Sequence, residues 1–181
     1  MIEGFDPSEV NILSMDNYYF PREQQYTDSQ GVTNFDLPES IDIKGFLTDL
    51  KTLQSGNEVV RTEYTFNNEK KEAGVITVSP SKVIIVEGLF VFYDQELFDQ
   101  IDLKIIVHAP DSIKCIRRIK RDRVERNYPV EDVLYRYEHH VLPTYRRFIE
   151  PYLDDVDFVV NNNSNFNVAL DVIENHIRTK L

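Results

Sequence analysis

Three short apolar runs punctuate the chain: Asn11-Ile12-Leu13-Ser14-Met15, Lys82-Val83-Ile84-Ile85-Val86-Glu87 and Leu103-Lys104-Ile105-Ile106-Val107. They are short, rich in β-branched residues and lack polar alternation, which is the pattern of strands covered on both faces. Phe158-Val159-Val160 reads as a fourth. Elsewhere apolar residues recur at helical spacing. From Asp42 to Ser55 they are Ile43, Phe46, Leu47, Leu50 and Leu53, with Gly56 as the stop. Pro110 suits the first turn of a second helix, whose buried stripe is Ile113, Ile116 and Ile119. Val168, Ala169, Val172, Ile173 and Ile177 mark a last helix over Asn165 to Thr179. Strands interleaved with helices predict α/β architecture with a largely parallel sheet. Glu58 to Val78 is different, because it alternates and contains the turn signal Asn67-Asn68. That pattern predicts a β-hairpin flap suited to holding a substrate.

The chain shows no repeat, low-complexity tract or Gly/Ser linker, so residues 1–181 read as one domain. At 41% hydrophobic residues it can bury a real core. Twenty basic against 31 acidic residues give a net charge of -11, which argues against a general nucleic-acid binder held by phosphate contacts. A single cysteine excludes an internal disulfide framework and a four-cysteine zinc site, and fits a reducing compartment. No apolar run approaches the roughly 20 residues that span a bilayer. Met1 to Asp6 lacks the basic and apolar regions of a secretory signal. The expectation is a soluble, cytoplasmic chain with neither membrane nor nucleic acid as partner.

Candidate chemistry gathers at strand ends. Asp16 follows the first apolar run, at the carboxyl end of a strand, where parallel sheets bind ligands. An aspartate that merely caps a turn is the alternative. Glu87-Gly88 ends the second run in the same way, and a magnesium ion is a natural partner for such a carboxylate beside a nucleotide; a loop-exposed glutamate is the plainer reading. Residues 117 to 126 carry six basic side chains, among which Arg118 and Arg121 share a helical face and can grip one phosphate. A solvated charged helix would look the same. Tyr18, Tyr19, Phe20 and Tyr26 are candidates for a pocket wall or for the core. Adjacent His139 and His140 point about 100° apart on a helix and do not form a joint metal site. Cys115 reads as a small buried hydrophobe.

The order of these features is more specific than any one of them: an acid after one strand, acid-Gly after another, then an arginine-rich helix. Through Ser14-Met15-Asp16-Asn17-Tyr18-Tyr19, Asn34-Phe35-Asp36-Leu37-Pro38, Tyr64-Thr65-Phe66, Ile84-Ile85-Val86-Glu87-Gly88-Leu89, Arg118-Ile119-Lys120-Arg121-Asp122 and Phe148-Ile149-Glu150-Pro151, the chain resembles the uridine kinase family of P-loop kinases, related to phosphoribulokinase. The resemblance implies a P-loop kinase-like parallel sheet flanked by helices, a substrate flap at 58–78 and a helical lid at 117–140. It implies transfer of the γ-phosphoryl group of ATP, with Mg2+, to a hydroxyl of a nucleoside (uridine or cytidine) or similar small molecule. It also implies roles. Asp16 is the general base, Asp36 holds ribose hydroxyls, Tyr64 and Phe66 line the base pocket, Glu87 holds the metal, and Arg118, Arg121 and Arg126 close over the phosphates. A homo-oligomer is admitted. The alternatives are a phosphoribulokinase-like sugar-phosphate kinase and a non-catalytic paralogue acting as a binding or regulatory subunit.

The chain departs from the family pattern in two places. No G-x-x-x-x-G-K-[ST] loop occurs; the six glycines are Gly4, Gly31, Gly45, Gly56, Gly74 and Gly88. In the family that loop and its strand precede the segment matching Asn11, so the expectation is a natural protein with one more strand-loop-helix unit upstream. Strands 83–87 and 103–107 would then flank the slot of a central strand and share no ladder. Second, Glu69, Asn127-Tyr128 and Arg136 stand where the family places its nucleoside-specificity residues.

Overall fold

The computed structural model describes residues 4–65, 72–125 and 128–181. Strand β1 (Val10–Ser14) runs into a 3-10 turn over Met15–Tyr18. A small antiparallel ribbon, β2 (Tyr26–Thr27) and β3 (Thr33–Asn34), follows. Helix α1 (Ile43–Gln54) starts where the Asp42 side chain accepts a hydrogen bond from the Gly45 amide, and it buries Phe46, Leu47, Leu50 and Leu53. The apolar spacing read from the sequence is therefore the face that packs.

Next come β4 (Val59–Thr62) and β5 (Val75–Val78), paired antiparallel as the hairpin expected over 58–78. Its turn, with Asn67-Asn68, lies outside the described residues. Strand β6 (Val83–Glu87) returns to lie parallel to β1, with Val10 opposite Val83 and Ser14 opposite Glu87. After the short helix α2 (Gln95–Asp99), β7 (Ile105–His108) pairs in parallel with the later strand Phe158–Asn161. Between them lie α3 (Asp111–Glu125), α4 (Val130–Arg136), a single π-helical turn over Tyr137–Val141 and α5 (Leu142–Phe148). Strand β8 (Phe158–Asn161) and helix α6 (Asn167–Arg178) complete the chain.

The main core joins Leu13, Met15 and Tyr18 to the buried face of α1, to Val59 and Val78 of the hairpin, and to Phe90 and Leu97. Gly88 is sterically required within it: φ is 154°, and a Cβ there would stand 2.3 Å from the Cβ of Met15. The backbone after β6 thereby lies directly against the turn that carries Asp16.

Among the described residues β6 pairs with β1 and β7 with β8, and no ladder joins β6 to β7. This matches the expectation for strands 83–87 and 103–107. The burial differs from the two-faced covering expected: Val83 to Val86 are only half-buried, and Val107, Phe158 and Val159 are exposed. The apolar stripe of α3 is also less buried than its spacing implied, since Ile116 is 52% exposed. Val168 and Val172 of α6 are exposed as well, beside an apolar groove of about 570 Å3 between β8 and α6. No helix among the described residues is long and apolar enough to cross a membrane.

Candidate active site

The register of β1 on β6 brings the two strand-end acids together, because Ser14 is level with Glu87 and Asp16 lies two residues beyond Ser14. The Ser14 hydroxyl accepts a hydrogen bond from the Asp16 amide at 3.3 Å, which starts the 3-10 turn and turns the chain away from the sheet at this residue. Asp16 is half-buried. Burial, and then the charge of Glu87, push its carboxyl above the ordinary range, while Arg121 pulls the other way. The turn-capping alternative for Asp16 is not what the structure shows, since Ser14 supplies the cap. Glu87 itself is exposed, as the plainer reading of that residue had it, yet it is close enough for its charge to act on Asp16.

Asp36 and Arg118 meet across the site at 3.5 Å. Asp36 is held by its own backbone, whose amide donates to the Asn34 side chain at 2.8 Å. Arg118 also lies 3.4 Å from Asp122, and the Asp122 carboxylate accepts from Arg121 at 2.9 Å. Asp122 is 2% exposed, so both arginines of the predicted phosphate grip are set on one buried carboxylate. No role was read for Asp122 from the sequence, although its i,i+4 spacing from Arg118 is a signal.

Tyr64 stacks on Tyr19, with centroids 5.4 Å apart and planes at 27°, and Tyr19 meets Phe35 edge-on at 6.5 Å. Burial, and then the charges of Asp16 and Asp36, raise the Tyr19 hydroxyl far above its ordinary range. Of the aromatics proposed as a pocket wall, Tyr19 is here, whereas Tyr18 is buried against Phe46 and donates to Asp49, and Tyr26 is exposed. The hairpin is tied to the turn at two points. The Tyr64 amide donates to Asn17 at 3.2 Å, and Arg61 lies over the Tyr18 ring while donating to Asp49. Asn17, Arg61 and Asp49 were not singled out from the sequence, where nothing couples residues this far apart.

The structure thus brings together Asp16, Glu87, Asp36, Tyr64, Arg118 and Arg121. Phe66 and Arg126, the other two predicted site residues, lie outside the described residues, as does Glu69. Among the described residues no group of three or more His, Cys, Asp or Glu is arranged to hold a metal. Asp16 and Glu87 nevertheless suit magnesium, which is typically held by one or two carboxylates with water and phosphate supplying the rest.

The family model described as the phosphoribulokinase / uridine kinase family matches residues 4–169. A uridine kinase of Deinococcus deserti is 32% identical over 181 residues, covering 100% of this chain and 87% of that protein. Uridine-cytidine kinase-like 1 of Mus musculus is 33% identical across the whole chain, which spans 33% of its length. In three dimensions the phosphoribulokinase of Rhodobacter spheroides has the same fold, with a TM-score of 0.59 at 20% identity, covering 87% of this chain and 63% of that one. A strand-end acid pair, an arginine-bearing helix and a hairpin on one parallel α/β frame, together with these matches, place the chain in the phosphoribulokinase / uridine kinase family.

Proposed function

We propose that the protein is an ATP-dependent kinase that phosphorylates a hydroxyl of a nucleoside, with uridine and cytidine as first candidates. One observation carries the reading: Asp16 is half-buried, made more basic by burial and by Glu87, and shares the site with the Asp36–Arg118 pair and the Tyr19–Tyr64 stack. Asp16 takes the proton from the acceptor hydroxyl as the bond to phosphorus forms. Asp36 accepts hydrogen bonds from the ribose hydroxyls. Tyr64, on the hairpin that serves as flap, offers its ring to the base, with Phe66 beside it in the sequence. Arg118 and Arg121, joined by Arg126 in the lid at 117–140, neutralise charge on the transferring phosphoryl group. Glu87 would hold Mg2+, which when bound screens the phosphate oxygens. Little covalent work is required of the protein, so placement and charge supply the rate.

A second reading has its own observation. Arg136 donates to the Thr33 carbonyl at 2.7 Å, three residues before Asp36, so a further cation stands on the acceptor side. A sugar phosphate in place of a nucleoside would use it. The test is a phosphotransfer assay of the full-length gene product with ATP or GTP and a panel of nucleosides and sugar phosphates. Transfer to uridine or cytidine supports the first reading, transfer to a sugar phosphate supports the second, and transfer to neither with either donor overturns both.

A further inference from the structure

Outside the acids and arginines already described, a partly buried polar cluster joins the β2–β3 ribbon to the helices after α3. Asp28 opens the turn between the two strands, and its Oδ1 accepts from the amides of Gln30 and Val32, each at 2.9 Å. Its Oδ2 accepts from the Tyr135 hydroxyl of α4 at 2.9 Å and lies 2.7 Å from Nε2 of His140. His140 sits in the π-helical turn over Tyr137–Val141 and is 2% exposed. Its other ring nitrogen, Nδ1, is buried with no hydrogen-bond partner. A polar ring placed so deep, with one nitrogen unpaired, costs stability that an apolar residue would not, so its single bond to Asp28 is what the position serves. Extra-wide π turns interrupt helices at a local cost and are frequent at functional sites.

The ribbon leads straight into the acceptor loop. Asn34, which pairs with Tyr26, accepts from the Asp36 amide, and Arg136, next to Tyr135, holds the Thr33 carbonyl. Asp36 in turn faces Arg118. The helical segment from α3 to the π turn therefore meets the ribbon and loop at three places, Arg118 on Asp36, Arg136 on Thr33, and His140 with Tyr135 on Asp28.

We infer that Asp28 and His140 are positioning residues for the phosphoryl acceptor: their bond latches the β2–β3 ribbon to the lid helices, so that Asp36 and Arg118 keep one spacing when an acceptor enters. The inference rests on the reading of Asp36 as an acceptor-binding residue. The latch acts through Asp36 and touches neither the acceptor nor the phosphate.

The test uses the full-length protein with His140→Phe, which keeps the ring volume and loses the donor, His140→Gln, which keeps a donor, and Asp28→Asn. His140→Phe and Asp28→Asn should raise the acceptor KM roughly tenfold, about what one lost charge-assisted hydrogen bond is worth, with kcat and the ATP KM within about twofold of wild type. His140→Gln should return most of the loss. Backbone amide exchange over residues 26–36 should quicken in His140→Phe while that of α1 stays unchanged. An unchanged acceptor KM overturns the latch, and so does a loss spread over kcat, melting temperature and both KM values, with the ATP KM rising as much as the acceptor KM, which would mark His140 as part of the core alone. If the wild-type protein phosphorylates nothing in the panel, the functional reading fails separately. The latch is then decided by exchange: faster exchange confined to 26–36 supports it, and unaltered exchange overturns it.

Discussion

Asp36 and Arg118 face one another at 3.5 Å, one on the loop after β3 and the other on α3, and each side chain is 20% exposed. In the proposed function, an acceptor on Asp36 and a phosphate on Arg118 would compete with this ion pair. The same arginine is held from behind by Asp122, so it can release Asp36 without losing its place on the helix.

Both arginines are set on Asp122, Arg121 through a hydrogen bond of 2.9 Å and Arg118 at 3.4 Å. Arg121→Ala and Arg118→Ala should each lower turnover and also cost stability on the order of 2 kcal/mol, because a buried carboxylate loses one of its cations. Steady-state kinetics beside thermal melts of the two variants provide the check; melting temperatures unchanged in both would contradict the geometry.

Asp16→Asn should lower turnover by roughly 100-fold or more, the usual share of a general base. It should also raise the melting temperature at pH 7. The sign follows from the raised carboxyl: folding favours the protonated form, so stability falls as pH rises from the unfolded value near 3.9 through the higher folded value, and at neutral pH the whole cost is felt. Asparagine carries no charge and escapes it. A variant less stable than wild type at pH 7 would contradict this account.

Removing the repelling neighbour should move Asp16 back. In Glu87→Gln, without metal, the Asp16 carboxyl should titrate at lower pH than in wild type, since one of the two causes that raise it is gone. Carbon-13 NMR of the side-chain carboxyl follows this directly. A titration that does not move would mean that burial alone sets the basicity of Asp16.

Tyr64→Leu should raise the KM for a nucleoside acceptor by roughly tenfold and leave that for ATP alone, given that stacking of a base on an aromatic ring is worth about 1–3 kcal/mol. The motivating geometry is the ring stacked on Tyr19 at 5.4 Å. Equal effects on both substrates would place Tyr64 elsewhere in the mechanism.

Gly88→Ala should destabilise the fold by about 2 kcal/mol or more, because φ is 154° and the added carbon would meet Met15 at 2.3 Å. Chemical denaturation measures it, and a neutral result would mean that the turn carrying Asp16 can yield.

The local signals of this chain decide its elements. The i, i+3, i+4 spacing of Phe46, Leu47, Leu50 and Leu53 is the buried face of α1, and Asp42 and Gly56 bound that helix because a cap and a left-handed stop act within one turn. The strand-end acids Asp16 and Glu87 were legible for the same reason, since a motif at a strand end is local and the parallel register of β1 on β6 then sets the two acids near each other. Apolar pattern was a poorer guide to covering. Ile116, Val107 and Val172 have the right spacing and stand exposed, because burial is decided by what another element places against them. Contacts between distant segments lay wholly with the tertiary structure: Asn17 on Tyr64, Arg61 on Asp49, Arg118 on Asp36 and Asp28 on His140. A hydrogen bond across 112 positions leaves no periodicity and no motif in the intervening residues. Its donor and acceptor are brought within 3 Å only when the helices and the ribbon pack, and that is a property of the folded chain alone.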